Sequence, residues 1–372
     1  MPGALPRIFV SAGEPSGDLH AAPVVEALRR LLPGIGVDAL GGPALREAGA
    51  TIRFPMERYT VMGFFEALAK IPPHVQMLRQ LRKDCRAGRY DLAVLVDYPG
   101  FNLRLAETAH RQGVPVLYYI APQLWAWRPG RARRLARSVD RLAAILPFEP
   151  GFFRGLGVAA EFVGHPLADR SWPERSAARR TLGLADHERV LALFPGSRGQ
   201  EVDRIWPVFR DAAARLLARG ECTRVLVAGT GAGEYPGAGG MEVRHGASAD
   251  LMAAADAALV KSGTTTLEAA MTGTPMVVAY RVHALTAMIA RRVIRVPWVS
   301  LVNLVADRGV VPELLQDDAT PDRLADLVRP LLDVSRPEAI AQREGLAEVR
   351  RRLGLPGAAE RVAGIARDLI AA

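Results

Sequence analysis

The sequence predicts two doubly wound α/β domains, and three observations carry that prediction. Apolar β-type runs fall at 7–12, 92–97, 114–120, 142–146 and 161–163, then at 190–194, 224–228, 257–260 and 276–279. They are continuous rather than alternating, as strands buried on both faces of a parallel sheet must be. Helical periods lie between them, for example at 19–32, 202–218 and 265–271, and strand–helix alternation is the signature of parallel sheets. Finally, 372 residues exceed what one core usually holds. The polar stretch 165–176 (HPLADRSWPERS) separates two halves that each restart with strand, glycine-rich turn and helix. The expected domains are therefore 1–166 and 170–355. From Pro321 onward the pattern is helical only, at 322–332, 337–353 and 358–370.

Composition narrows the function. Hydrophobic residues make up 49% and charged residues 23%, which excludes a disordered, collagen-like or coiled-coil chain. Two cysteines, Cys85 and Cys222, make no disulfide scaffold or zinc cluster, and the seven histidines show no metal-ligand spacing. The start of the chain lacks the apolar core of a signal peptide, and the longest apolar stretch, 114–127, is interrupted by Pro115, Pro122 and Gln123. A membrane-spanning helix needs ~20 apolar residues, so a cytoplasmic protein is expected, one still able to lie on a membrane surface. The net charge of +9 is carried almost wholly by arginine, the lysines being Lys70, Lys83 and Lys261. This favours phosphate-bearing or anionic-lipid partners. The arginines are scattered without interleaved aromatics, which argues against nucleic acid.

Ligands of open α/β sheets bind beyond the carboxyl ends of the strands, so the strand-end loops carry the functional argument. The first, Ser11–Ala12–Gly13–Glu14–Pro15–Ser16–Gly17–Asp18, combines tight glycine turns with a helix start. Ser16 or Asp18 can simply cap that helix, whereas Glu14 brings a carboxylate into the expected cleft. In the second loop Asp97 ends an apolar strand, where an unpaired carboxylate is costly. It is expected to be hydrogen-bonded by loop N–H groups or used chemically, with Asn102 capping the next helix. The third loop carries Gln123, Trp125, Trp127 and Arg128, followed by Arg131, Arg133, Arg134 and Arg137. That is either core tryptophan beside a solvated basic face, or an apolar shelf with arginines for an amphipathic phosphate ligand.

Two phosphate-type turns follow in the second half. Gly196, Ser197 and Arg198 sit between a strand and a helix start. Lys261, Ser262, Gly263 and Thr264 repeat the design, with Glu268 in the first helical turn. Neither is a Walker motif. Backbone N–H groups at such turns hold phosphate, and two in one domain suit a diphosphate. Glu268 can bridge ribose hydroxyls or merely complement the helix dipole. A nucleotide-sugar transferase fits this pairing, with one acid available as general base.

The motifs SAGEPSGD, VDYPGFN, PQLWAWRPGR, FVGHPLAD, FPGSRGQE, KSGTTTLEA with PMVVAYR, and VNLVADRGVVPELLQ occur in order over almost the whole chain. Together they resemble the lipid-A-disaccharide synthase family. The resemblance implies a B-type glycosyltransferase fold, two Rossmann-like domains facing a cleft, with helix 356–372 crossing back onto the first. It implies inverting transfer of 2,3-diacylglucosamine from UDP-2,3-diacylglucosamine to 2,3-diacylglucosamine 1-phosphate, giving the β-1,6 disaccharide 1-phosphate and UDP. No metal or cofactor is implied, and the setting would be the anionic inner face of the Gram-negative inner membrane. Carried over, Asp97 would be the base and Glu14 a second essential acid, with their roles still exchangeable. Gly196, Ser197, Arg198, Lys261, Ser262, Gly263, Thr264 and Glu268 would hold UDP, and Asn303 would line the same cleft. Gln123, Trp125, Trp127 and Arg128 would serve the acceptor. Met62, Phe64 and Phe65, in a broad apolar segment at 61–71, would face lipid, as would a basic-apolar piece at 288–295, unless each packs on its own core. The alternatives are another UDP-N-acetylglucosamine enzyme of this fold (a peptidoglycan-precursor transferase or a 2-epimerase), and a non-catalytic lipid-phosphate binder.

Overall fold

The computed structural model describes residues 5–59, 71–127, 129–283 and 296–372. The chain forms two compact units, Met1–Asp169 with Gly354–Ala372, and Arg170–Leu353. In the first, seven parallel strands run β1 (Arg7–Ser11), β2 (Gly36–Gly41), β3 (Thr51–Pro55), β4 (Leu92–Val96), β5 (Val116–Tyr119), β6 (Arg141–Ala144) and β7 (Ala160–Phe162). Their order in the sheet is β3-β2-β1-β4-β5-β6-β7. In the second, β8 (Val190–Phe194), β9 (Arg224–Gly229), β10 (Glu242–His245), β11 (Ala257–Lys261), β12 (Met276–Tyr280) and β13 (Glu313–Leu315) take the order β10-β9-β8-β11-β12-β13, again all parallel.

Burial explains which strands were visible beforehand. β4 (LAVLV) and β8 (VLALF) are fully buried and apolar, so no alternation interrupts them. Four strands escaped the apolar-run criterion: β2, β3, β10 and β13. β2 reads GVDALG, with glycine at both ends and an aspartate inside it. β10 reads EVRH and is partly exposed, and β13 is only three residues long.

That aspartate, Asp38, is 1% exposed. Its carboxylate accepts from Arg7 Nη1 (3.2 Å), Arg89 Nη2 (2.9 Å) and the Tyr90 hydroxyl (2.9 Å). Arg53 lies 3.8 Å away and also pairs with Asp84 at 2.7 Å. Removing the shared anion leaves Arg53 and Tyr90 facing each other in a half-dry site. Asp38→Ala is therefore expected to destabilise the protein by about 3–5 kcal/mol, read as a lower denaturation midpoint in urea. Asp38 lies in the amino-terminal half of β2, opposite Phe9 of β1 and Thr51 at the start of β3.

The last helix, Ala358–Ala371, belongs to the first unit. Val362, Ala363, Ile365 and Ala366 share a core cluster with Ala21, Val24, Val25 and Leu28 of the helix Pro15–Leu31. Its approach is pinned by Gly357 N donating to Asp169 (2.5 Å) and Arg361 Nε donating to the Val163 carbonyl (2.7 Å). In the second unit, Val202, Trp206 and Phe209 of the helix Gly199–Ala218 pack on Leu191, Leu193 and Leu259. No described helix is long and apolar enough to cross a membrane.

Candidate active site

Each sheet has a topological switch point. In the first unit β1 and β4 are neighbours, and the chain continues from them towards opposite edges. Their carboxyl ends bear the Gly13–Glu14 and Asp97–Tyr98 loops. In the second unit β8 and β11 play the same part and bear the Gly196–Arg198 and Lys261–Thr264 turns. A crevice opens at such points because adjacent connections diverge.

Asp97 and Tyr98 are consecutive residues in the left-handed region, with φ of 45° and 48°. Side chains there cost free energy and persist only where the surroundings enforce the conformation. Here they do. The Asp97 carbonyl accepts from Asn102 Nδ2 (2.8 Å) and from the Tyr118 hydroxyl (2.7 Å), and Asp97 N donates to Tyr119 O (3.0 Å). The Tyr98 hydroxyl meets His74 Nε2 at 2.7 Å. The Tyr98 ring lies so close to Gly13 that a Cβ there would collide with it. Glycine at 13 is thus a steric requirement, and it draws the Glu14 loop against the Asp97 loop. Burial, then the charge of Glu14, pushes the Asp97 carboxyl up to about 6 against one backbone hydrogen bond. Glu14 occupies the N-cap position of the helix Pro15–Leu31 and is half-buried, but its side chain makes no capping bond.

Two polar residues take roles different from those expected. Asn102 caps nothing. It is fully buried inside the helix Pro99–His110, donating to the carbonyls of Ser11, Val96 and Asp97 and accepting from the Ser11 hydroxyl at 2.6 Å. It therefore ties the ends of β1 and β4 together. Asp18 accepts from Gly42 N (2.7 Å) and Ala44 N (2.9 Å), so it caps the short helix Pro43–Glu47 rather than its own.

In the third loop Gln123 is exposed and Trp125 half-buried. The Trp125 indole Nε1 donates to Glu149 (3.1 Å), and Phe148 meets the ring edge-on at 5.0 Å. Glu149, which sequence reasoning passed over, is buried, and that burial pushes its carboxyl up to about 7 against hydrogen bonds from Leu146 N and Trp125. Trp125 is thus anchored through its polar edge. Arg128, Met62, Phe64 and Phe65, the side chain of Trp127 and the segment 288–295 lie outside the described residues.

In the second unit Gly196 has a φ of 128°, and a Cβ on it would fall within 2.8 Å of the Glu201 side chain. The Glu201 carboxylate accepts from Ser197 N (3.2 Å) and from Lys261 Nζ (2.9 Å). Burial pushes it up, but the Lys261 hydrogen bond and charge, with Ser197 and Arg198, hold it below the usual carboxylate range. Arg198 is 78% exposed and reaches only 3.9 Å from Glu201, leaving its guanidinium available to an anion. Thr264 is exposed, and Gly263 has a φ of 157°, where a Cβ would come into ordinary contact with Lys261 Nζ at 3.9 Å. Ser262 is buried, its hydroxyl donating to Val299 O at 2.9 Å. Glu268 lies 3.7 Å from Arg170, and burial raises its carboxyl against that cation.

Asn303, expected to line the cleft, is fully buried with its amide spent internally. Nδ2 donates to Val311 O (2.9 Å) and Glu313 Oε1 (2.8 Å), while Oδ1 accepts from Val310 N (2.7 Å) and Val311 N (3.0 Å). Glu313 also accepts from Val299 N and Ser300 N at 2.8 and 2.9 Å. Asn303 therefore supports the loop carrying Val299, onto which Ser262 binds. Among the described residues, no cluster of three or more histidine, cysteine or acidic side chains is arranged to hold a metal ion.

Comparison with known proteins matches the chain to a family. The model of the lipid-A-disaccharide synthetase family matches residues 8–352. The chain is 46% identical over 367 residues to the lipid-A-disaccharide synthase of Anaeromyxobacter sp. (strain K), covering 96% of each chain. It is 42% identical over 374 residues to that of Geobacter sulfurreducens, covering 98% of this chain and 97% of the relative. Among solved structures, an S. aureus MnaA–UDP co-structure aligns with a TM-score of 0.63 at 12% identity, over 96% of this chain and 94% of that one. Acinetobacter baumannii MurG aligns with a TM-score of 0.61 at 16% identity, over 98% and 99%.

Proposed function

The chain belongs to the lipid-A-disaccharide synthetase family of glycosyltransferases, and from that premise we propose that it joins two acylated glucosamines. The donor is UDP-2,3-diacylglucosamine, the acceptor 2,3-diacylglucosamine 1-phosphate, and the products are the β-1,6-linked disaccharide 1-phosphate and UDP. Asp97 takes the proton of the acceptor 6-hydroxyl as that oxygen attacks the anomeric carbon. The bond from that carbon to the diphosphate oxygen breaks, and UDP leaves with the electron pair. Attack opposite the leaving group inverts the anomeric centre. A base is most effective when its pKa lies near the working pH, and a carboxyl raised to about 6 meets that condition.

The leaving diphosphate gains negative charge, which is stabilised by donors already in place. The Gly196–Ser197–Arg198 turn, Lys261 and the Thr264 hydroxyl supply them, and Glu268 takes the ribose hydroxyls. Glu14 holds the acceptor beside the base. Gln123, Trp125, Trp127 and Arg128 receive its sugar phosphate and acyl chains. Met62, Phe64 and Phe65 rest in the lipid interface at the cytoplasmic face of an anionic inner membrane.

The observation that carries this reading is the strained, half-buried Asp97 at the β1/β4 switch point, within a chain whose family match runs over residues 8–352. It is tested by incubating purified protein with UDP-2,3-diacylglucosamine in mixed micelles, with and without the monosaccharide phosphate. UDP and disaccharide are expected only when both substrates are present. UDP release from the donor alone, or a 2-epimerised sugar, would overturn the proposal in favour of epimerase-type chemistry.

A further inference from the structure

The helix Gly199–Ala218 begins one residue after Arg198, and its first turn carries Glu201. That side chain folds back rather than outward. One carboxylate oxygen receives Ser197 N at 3.2 Å, and the other receives Lys261 Nζ at 2.9 Å from the end of β11. Its Cβ and carboxylate lie against Gly196, in space that any side chain at 196 would need. The Lys261 ammonium also lies 5.6 Å from the centre of the Tyr280 ring, and both Lys261 and Glu201 are about one-fifth exposed. Two turns that come from different strands are therefore joined by one carboxylate.

Lysine is a point charge on a flexible four-carbon stem. Left alone at a strand end it loses rotamer freedom on binding an anion, and that loss subtracts from affinity. A carboxylate that already fixes the stem removes much of the loss. The same carboxylate fixes the Ser197 amide and, by contact, the turn at Gly196. We infer that Glu201 is a positioning residue of the donor subsite, holding the Gly196–Ser197–Arg198 turn and the Lys261 ammonium as one unit so that a nucleoside diphosphate meets both together. The inference rests on the proposed function, because it needs these turns to receive the diphosphate of UDP.

The test is a double-mutant cycle on the full chain, reading UDP affinity by titration calorimetry and steady-state kinetics with both substrates varied. Glu201→Ala and Lys261→Ala are each expected to raise the UDP Kd and the donor KM about tenfold, leaving the acceptor KM unchanged. Because the two side chains act as a pair, the double variant should lose little more than either single one. If Glu201→Ala does not fold, Glu201→Gln preserves shape while removing the carboxylate charge that pairs with Lys261, and is expected to weaken UDP in the same direction. Three results would overturn the inference: UDP affinity unchanged or tightened in the Glu201 variants, single effects that multiply in the double variant, or equal rises in donor and acceptor KM accompanying a lowered melting temperature. A wild-type chain that fails to bind UDP would instead overturn the proposed function, and that arm is read before the variants.

Discussion

Replacing Asp97 by asparagine is expected to lower kcat by at least 10²-fold and up to about 10⁴-fold, the range that a general base contributes. UDP should bind the variant as it binds the wild type, because the proposed diphosphate donors lie on the Gly196–Arg198 and Lys261–Thr264 turns and not on the Asp97 loop. The pH dependence gives an independent check. Only the ionised carboxylate accepts a proton, and burial together with Glu14 pushes its pKa up to about 6. The rate kcat/KM should therefore be flat above that pH and fall tenfold per unit below it. The stability consequence has the opposite sign. A carboxyl whose folded pKa is raised binds its proton more tightly in the folded state. The resulting stabilisation is present below the ordinary carboxylate pKa and is lost as pH rises through about 6. Asp97→Asn escapes that loss and tolerates a φ of 45° at least as well. At pH 8 the inactive variant should be the more stable protein, by up to about 3 kcal/mol. Near-normal turnover, or a variant that simply unfolds, would refute the assignment.

Asn102→Ala should be damaging by a different route. The alanine leaves the Ser11 hydroxyl and the carbonyls of Ser11, Val96 and Asp97 without the partner that joins them. Unmade buried hydrogen bonds cost about 1–3 kcal/mol each, and relaxation of the loop recovers part of that. A net loss of about 3 kcal/mol is expected in chemical denaturation. The Asp97–Tyr98 backbone would also lose one of the two donors on the Asp97 carbonyl, so kcat should fall about tenfold or more in the fraction that remains folded. Full activity in a folded Asn102→Ala protein would mean that the left-handed pair does not depend on this residue.

Some of this was legible from the order of amino acids. Continuous apolar runs such as LAVLV and VLALF mark buried parallel strands, because their neighbours and both faces exclude water. A carboxylate closing such a run stands out, since it is costly to desolvate without a use or a partner, and Asp97 was found that way. Glycine-containing turns before helices pointed to the other three switch-point loops for the same local reason. β2 was not legible, because GVDALG looks like a turn until Arg7, Arg89 and Tyr90 arrive from distant positions to satisfy Asp38.

What the sequence by itself determined was local: the α/β alternation, the strand-end loops and the kinds of group they carry. What only the tertiary structure decided was which polar groups are spent internally. Asn303 sits in a motif that suggests a ligand contact, yet its amide is consumed by Val310, Val311 and Glu313. Glu201 looks like an ordinary first-turn acid, yet it bridges two strand ends. The reason is physical. Propensity and burial pattern act over a few neighbouring residues, whereas a hydrogen bond is allotted by distances of about 3 Å between residues that can lie 60 positions apart.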